Sequence, residues 1–324
     1  MRAAFIAFRW LFGLLLLFTF VGLLPDARLI YAHEALIGER KMVAPACWLS
    51  LHYYFRSPWL VEATVAISSI LSLLLAIGYT RRITAGVLLY LYYSLVLCNG
   101  LFSIPSEPFI AIMLAVVALA PPGEVASHSR QANWQLPPAL VNATWYAAGI
   151  LYLVSGADKL LTSPTWRAGE ALGCILTSSV TRPIAAEMLE ALPRWVLRHA
   201  TWGTLALEIG FLPMALWPRA RPWLWASCAM MHVIILITLD VTQVSLAMLL
   251  FQGLLAIAFV RRPSAEGQSC PVERSPIAHQ SVPPNQCLSK QSRSKQSRAR
   301  AAPAVAFSGQ PLLQKRQRTA PGEA

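Results

Sequence analysis

Three ionisable side chains fall inside long apolar stretches of this sequence, Lys159, Glu208 and His232. A charge in such a setting is costly, and a functional role is the default expectation. Lys159 ends the run Ser155-Gly156-Ala157-Asp158-Lys159, and the other two lie near the middle of the next two apolar stretches. A lysine in an apolar pocket has its ammonium form disfavoured, so it can stand as a free amine and act as a base. Gly156, one turn earlier, is expected to leave the helix surface open to a flat ligand. The chemistry this suits is deprotonation of a phenol-like group on a membrane-soluble molecule, a lipid quinol for example. Glu208 and His232, at matching depth in neighbouring antiparallel spans, could share a hydrogen bond or relay a proton. Each residue also has a structural reading. Lys159 could snorkel to the outer interface and pair with Asp158 or a loop acid. Glu208 and His232 could fix helix packing, and Asn99 and Gln252 join helices in the same way. Asp240 suits a solvated helix end.

The elements that must position these groups are apolar helices. Of 324 residues, 56% are hydrophobic and only 13% charged, against roughly a quarter charged in soluble domains. Such depletion, with apolar runs of about 17 residues or more, makes lipid the solvent. Eight windows are expected to span: Phe5–Leu24, Leu60–Gly78, Ile83–Phe102, Ile104–Ala120, Pro138–Leu161, Thr201–Trp217, Trp223–Leu239 and Val241–Val260. The first resembles a signal peptide but is long and lacks a small-x-small site, so an uncleaved span is expected. The fold class is therefore all-α, a polytopic helical membrane protein. Residues 1–260 form the membrane domain and 261–324 a basic, disordered cytoplasmic tail rich in Ser, Gln, Pro, Arg and Lys, too poor in apolar surface to offset its ordering entropy.

Charge orients the bundle. With the N-terminus inside, eighteen of the 27 Lys/Arg fall on the cytoplasmic side and eight in two long outer loops. That follows the positive-inside rule, and an even span count returns the C-terminus to the cytoplasm. The net charge of +12 comes mainly from the tail, where eleven Lys/Arg stand against three Glu. This suits topology or anionic lipid as partner rather than nucleic acid. The outer loops are expected to form an interfacial cap. Ala46–Phe55 has apolar residues at helical spacing, Ser163-Pro164-Thr165-Trp166 starts a helix, and Pro183–Leu192 is another. Trp59, Trp134, Trp145, Trp202, Trp217 and Trp223 lie near span ends, as in an aromatic belt. The six cysteines show no metal-ligand spacing, so no metal is expected. Cys47 and Cys174, both in outer loops, could be joined by a disulfide or stay as free thiols.

The order of features has a likeness. The run SGADKLLTSPTWRAGEAL, the segment LEIGFLPMALWPRARP and the segment MMHVIILITLDV together resemble the HTTM family. These are bacterial membrane proteins related to the membrane part of vitamin K-dependent γ-glutamyl carboxylase. The likeness covers roughly residues 3–260. Its distinctive element is Gly-x-x-Lys-Leu followed by Trp-x-x-Gly. The resemblance implies that Lys159 is the base that deprotonates a reduced, vitamin K-like quinone, that His232 matches the family's histidine, and that Gly156 and Trp166 flank the cofactor. It also implies a bacterial inner membrane and chemistry on the outer face, where charge independently places Lys159. The family's second lysine is Asp158 here. Its Asn-His-x-Tyr run has no counterpart in Pro105–Phe109, and its large lumenal peptide-binding domain is missing. Glutamate carboxylation is therefore not expected, whereas quinol deprotonation or oxygenation is. Two further readings stand beside the enzyme: a non-catalytic factor in maturation or export of a secreted peptide, which a relative suggests, and a transporter with Glu208 and His232 on its pathway. No internal repeat favours the last.

Overall fold

A computed structural model describes residues 1–31, 47–55, 57–97, 105–124 and 134–259, excepting the side chains at 47, 188–190 and 258. The chain divides into Met1–Ser264 and Ala265–Ala324, and everything described belongs to the first unit. The expected tail and Asn99 lie outside the described residues. So does the side chain of Cys47, one of the two cysteines that could be bridged or free; Cys174 is an exposed free thiol.

The described residues form thirteen α-helices and no strand. Eight are long: α1 (Arg2–Leu23), α4 (Pro58–Ile77), α5 (Arg81–Val96), α6 (Glu107–Leu119), α7 (Pro138–Thr162), α11 (Arg194–Leu216), α12 (Arg221–Thr238) and α13 (Thr242–Ala256). Five are short: α2 (Ala27–Tyr31), α3 (Leu51–Tyr54), α8 (Pro164–Ala168), α9 (Ala171–Leu176) and α10 (Pro183–Glu190). Pro stands in the first turn of α4, α6, α7, α8 and α12, where its missing N–H costs nothing and its fixed φ suits the helix.

Each of the eight apolar windows holds one long helix. Four of these, α1, α4, α7 and α12, are long and apolar enough to cross a membrane. The helices α6 and α13 are apolar but shorter, α5 has 16 residues, and α11 has the length but carries Arg194, Arg198 and Glu208. The outward surface is as apolar as the core. Phe18, Ile70, Ile77, Ile83, Val154, Trp223 and Ile237 all point away from the protein.

Packing closes a ring. Neighbours run α1–α4–α5–α6–α7–α11–α12–α13, and α13 returns to α1 while also touching α6 and α7. Close approach of α1 and α4 needs Gly13, where a Cβ would lie 2.6 Å from the Ala76 nitrogen.

Buried arginines close the helix ends on one side. Arg9, 1% exposed, donates from Nη1 to the Leu75 carbonyl at 2.7 Å, on the last turn of α4. Arg81 donates to the Val117 and Ala120 carbonyls, both at 2.7 Å, at the end of α6, and forms a buried ion pair with Glu124 at 2.7 Å. Arg221 donates from Nε to the Ala215 carbonyl at 2.8 Å near the end of α11, and from Nη1 to Asn142 Oδ1. Terminal carbonyls have no intrahelical partner and carry the negative end of the helix dipole, so a guanidinium satisfies both needs.

Three expectations are corrected. Trp134 and Trp145 are 5% and 0% exposed and belong to the core, not to a belt. Trp134 packs on Phe5 and donates to the Pro121 carbonyl; Trp145 lies on Phe211 and under Arg221. The Ala46–Phe55 helix is broken in two. Ser50 is extended and N-caps α3, its hydroxyl accepting from the His52 amide and bonding the Ser94 carbonyl at 2.7 Å, which separates α3 from a 3₁₀ turn at Cys47–Leu49. The expected starts at Pro164 and Pro183 coincide with α8 and α10.

Gly78 ends α4 at φ +90, and a Cβ there would collide with the Arg9 guanidinium. Gly78→Ala is expected to lower stability by about 2–4 kcal/mol in thermal or denaturant unfolding of the purified chain, combining left-handed backbone strain with loss of the Arg9 cap. A second prediction concerns His52 in α3, which is buried, with both ring nitrogens unpartnered among the described residues. Burial lowers its imidazole below the ordinary 6.5. Above that pH the ring is neutral whether the segment is packed or open. As pH falls below it, the open form takes up a proton that the packed form refuses, so stability of the packed form is lost. Amide exchange at Leu51–Tyr54, corrected for intrinsic rates, should rise between about pH 7.5 and 5.5, and His52→Gln should abolish that rise.

Candidate functional site

The site is built where α7 meets α11. Gly149 and Gly156, seven residues apart, fall on one face of α7. A Cβ at Gly149 would lie 2.8 Å from Leu212 Cδ1, and one at Gly156 would lie 2.9 Å from Glu208 Cβ. The helices therefore touch nearly backbone to backbone, as small residues allow in membrane helix pairs. The expectation that Gly156 leaves an open face for a ligand is overturned, because α11 fills that face.

This approach decides where the charges go. Glu208, rooted opposite Gly156, reaches Lys159 one turn along α7 and accepts from its Nζ. The Glu208 side chain is 7% exposed and that of Lys159 27%. The carboxylate is inside and the amine lies at the edge. Asp158 is exposed and is not the lysine's partner. The indole of Trp166, on α8, has its ring centroid 4.9 Å from Lys159 Nζ, a favourable place for a cation. Behind it, Gly169 at φ +77 ends α8 and leaves room for Arg198 and Trp202 of α11. Trp202 Nε1 donates to the Arg167 carbonyl at 3.2 Å. The Trp-x-x-Gly element thus has a physical content here: Trp166 covers the amine, and Gly169 admits α11.

His232 does not meet Glu208. Its Nε2 lies 3.0 Å from the Tyr152 hydroxyl, and Glu208 is bonded to Lys159 instead. The two face different residues: Tyr152 of α7 stands between α11 and α12. Gln252 of α13 donates from Nε2 to the same hydroxyl at 3.3 Å, so it does join helices as expected. Tyr152 is 4% exposed, stacked on Phe211 at 4.5 Å and packed on Phe109 at 5.2 Å. The buried thiol of Cys228, one turn before His232, lies within the electrostatic reach of Glu208.

Two polar clusters therefore share one stripe of α7: Lys159–Glu208–Trp166 near its end and Tyr152–His232–Gln252 toward its middle. Tyr152, Gly156 and Lys159 are at i, i+4 and i+7, and that spacing is the sequence signal that would have found Tyr152. Cys228 carries a weaker signal, one turn from His232. Two buried acceptors, Glu208 Oε2 and Gln252 Oε1, have no partner among the described residues. Nor do three His, Cys, Asp or Glu converge as metal ligands among them. Chemically, the first cluster can exchange a proton with an acidic O–H and hold the resulting charges.

Compared with known proteins, the chain matches no family model, no curated protein and no solved structure.

A buried carboxylate stripped of its lysine is left uncompensated. Lys159→Met is expected to destabilise by about 3–5 kcal/mol, and Lys159→Met with Glu208→Leu to recover most of that loss. Unfolding of the four proteins of this double-mutant cycle in detergent measures it.

Proposed function

We propose that this chain is a multi-pass protein of a bacterial inner membrane, with about eight spans, both termini cytoplasmic and the α3, α8, α9 and α10 segments forming an outer interfacial cap. Its relationship is to the HTTM proteins. Its function is that of an outer-face enzyme in which Lys159 is the base toward a reduced quinone-type cofactor. The observation that carries this reading is the Lys159–Glu208 pair under Trp166, at the edge of an apolar bundle.

As a free amine, Lys159 Nζ carries a lone pair that acts as a base. Taking a proton from an acidic hydroxyl turns it into an ammonium, whose charge is held by the Trp166 face and the anion just formed. Glu208, as the carboxylate, keeps the amine in position and then takes the proton from the ammonium, the N–H breaking as the carboxyl O–H forms. The residues fit a group with a phenolic O–H: the amine is reachable, and its partner has one oxygen without a bond among the described residues. A reduced quinone bound there would supply that hydroxyl and the electrons for oxygen chemistry. Trp166 would flank it; Gly156, packed against α11, would not.

The test is quinone conversion by the purified protein in lipid. A panel of reduced quinones with oxygen, with and without bicarbonate, is read by mass spectrometry. Epoxidised or hydroxylated product is expected from the wild-type chain. Lys159→Ala and Lys159→Arg should cut it at least about a hundredfold, since arginine keeps its proton. Full turnover by Lys159→Arg would sink the base assignment. Lys159-independent behaviour together with a co-purifying secreted peptide would favour the maturation reading.

A further inference from the structure

The second cluster has a task that the first leaves open. A base site must discharge its proton; Lys159 lies at the edge of the bundle, and Glu208 is the member of the pair that lies inside it. We infer that Tyr152 is a relay residue that carries protons between Glu208 and His232, a deepening that rests on the base reading of Lys159.

The arrangement of hydrogen-bonding groups carries the argument. An amide N–H can only donate. Gln252 Nε2 therefore occupies a lone pair of the Tyr152 oxygen, and with the His232 ring protonated at Nδ1 the hydroxyl hydrogen turns to Nε2. The phenol is thus poised to give its proton to the imidazole and to receive another from the opposite side. On that side stands Glu208, rooted against Gly156, one helical turn or about 6 Å along α7 from Tyr152. Its Oε2 is buried and has no partner among the described residues. A single water between them would complete the step between carboxyl and phenol. The bonds balance. The carboxyl O–H breaks as the phenol gains a hydrogen, the phenol O–H breaks as His232 Nε2–H forms, and no electron moves. The groups that face Tyr152 are Glu208 from α11, Cys228 and His232 from α12, Gln252 from α13 and the ring of Phe109 from α6; Lys159 lies two turns away on its own helix.

The bland alternative is a hydrogen-bonded knot that only holds four helices together. Infrared spectroscopy separates the two without any bound cofactor. The full-length protein, in lipid vesicles with ring-labelled histidine, is given a pH step. The carboxyl band lost in Glu208→Gln and the imidazole band lost in His232→Gln are followed in time. In the wild type both should change with a single time constant. In Tyr152→Phe the Glu208 band should keep its rate while the His232 band slows at least about tenfold, as loss of a positioned proton carrier does. Gln252→Ala, which frees the hydroxyl to turn away, should slow His232 in the same direction, and serves if Tyr152→Phe does not fold. An unchanged His232 rate in a folded Tyr152→Phe or Gln252→Ala protein overturns the relay. So do unrelated time constants for the two bands in the wild type. Failure of the base assignment shows separately, as quinone turnover by Lys159→Arg with the Tyr152 effect intact.

Discussion

The contact between α7 and α11 is the constraint on which the site depends. Two glycines seven residues apart let the two backbones approach until Glu208 and Leu212 fill the space their side chains would take. Everything polar follows from that distance. Glu208 can reach Lys159 only because its Cβ starts against Gly156. Phe211 can stack on Tyr152 only because it sits one turn further along the same close seam. Lipid supplies no hydrophobic drive for helices to associate, so close packing and shared hydrogen bonds must do it. The same seam that holds the bundle together therefore also aims its ionisable groups.

At the other end of the helices a different shortage is met. Carbonyls on the last turn have no partner within the helix, and an apolar surrounding offers no water to them. Arg9, Arg81 and Arg221 fill that need for α4, α6 and α11 in turn. These are among the residues whose positive charge indicated a cytoplasmic side. A charge count treats them as solvated flanks. Their burial shows that they are structural parts, each tying one helix end to another element.

This explains which features were legible in the sequence. Apolar runs bounded by Pro, Gly and Arg gave the long helices, since length and composition are local properties. Facing direction was not legible. In a soluble helix the apolar stripe marks the inside; here Ile70 and Ile77 face outward and Phe5 and Phe12 inward with the same chemistry. Depth alone suggested that Glu208 should meet His232, but rotation about the helix axes gave each a different partner on α7. Gly156 was legible as a special position with the wrong consequence: absence of a side chain admitted a helix rather than a ligand. Trp134 and Trp145 failed for a related reason. Nearness to a span end places a tryptophan at the right depth without saying whether it faces lipid or protein.

The case that the α7 stripe does more than bind helices is that each of two neighbouring clusters of ionisable groups holds an unfilled acceptor among the described residues. Elsewhere, at Arg9, His52 or Ser68, buried atoms without a partner stand on a single residue by itself. Polar glue inside a bundle stabilises when every donor and acceptor is engaged, and a half-satisfied buried network is worse than an apolar one. Ser50 shows the satisfied form, with its hydroxyl shared between a helix cap and the Ser94 carbonyl. The Lys159–Glu208 and Tyr152–His232–Gln252 clusters differ. Each leaves a buried oxygen acceptor, at Glu208 and at Gln252, without a partner among the described residues. Apolar residues of similar volume in place of a buried ion pair are often neutral or stabilising. Keeping a lysine, a carboxylate, a phenol, an imidazole and an amide on one seam makes sense if protons move along it, because a group that must both accept and release a proton cannot have all its bonds permanently filled.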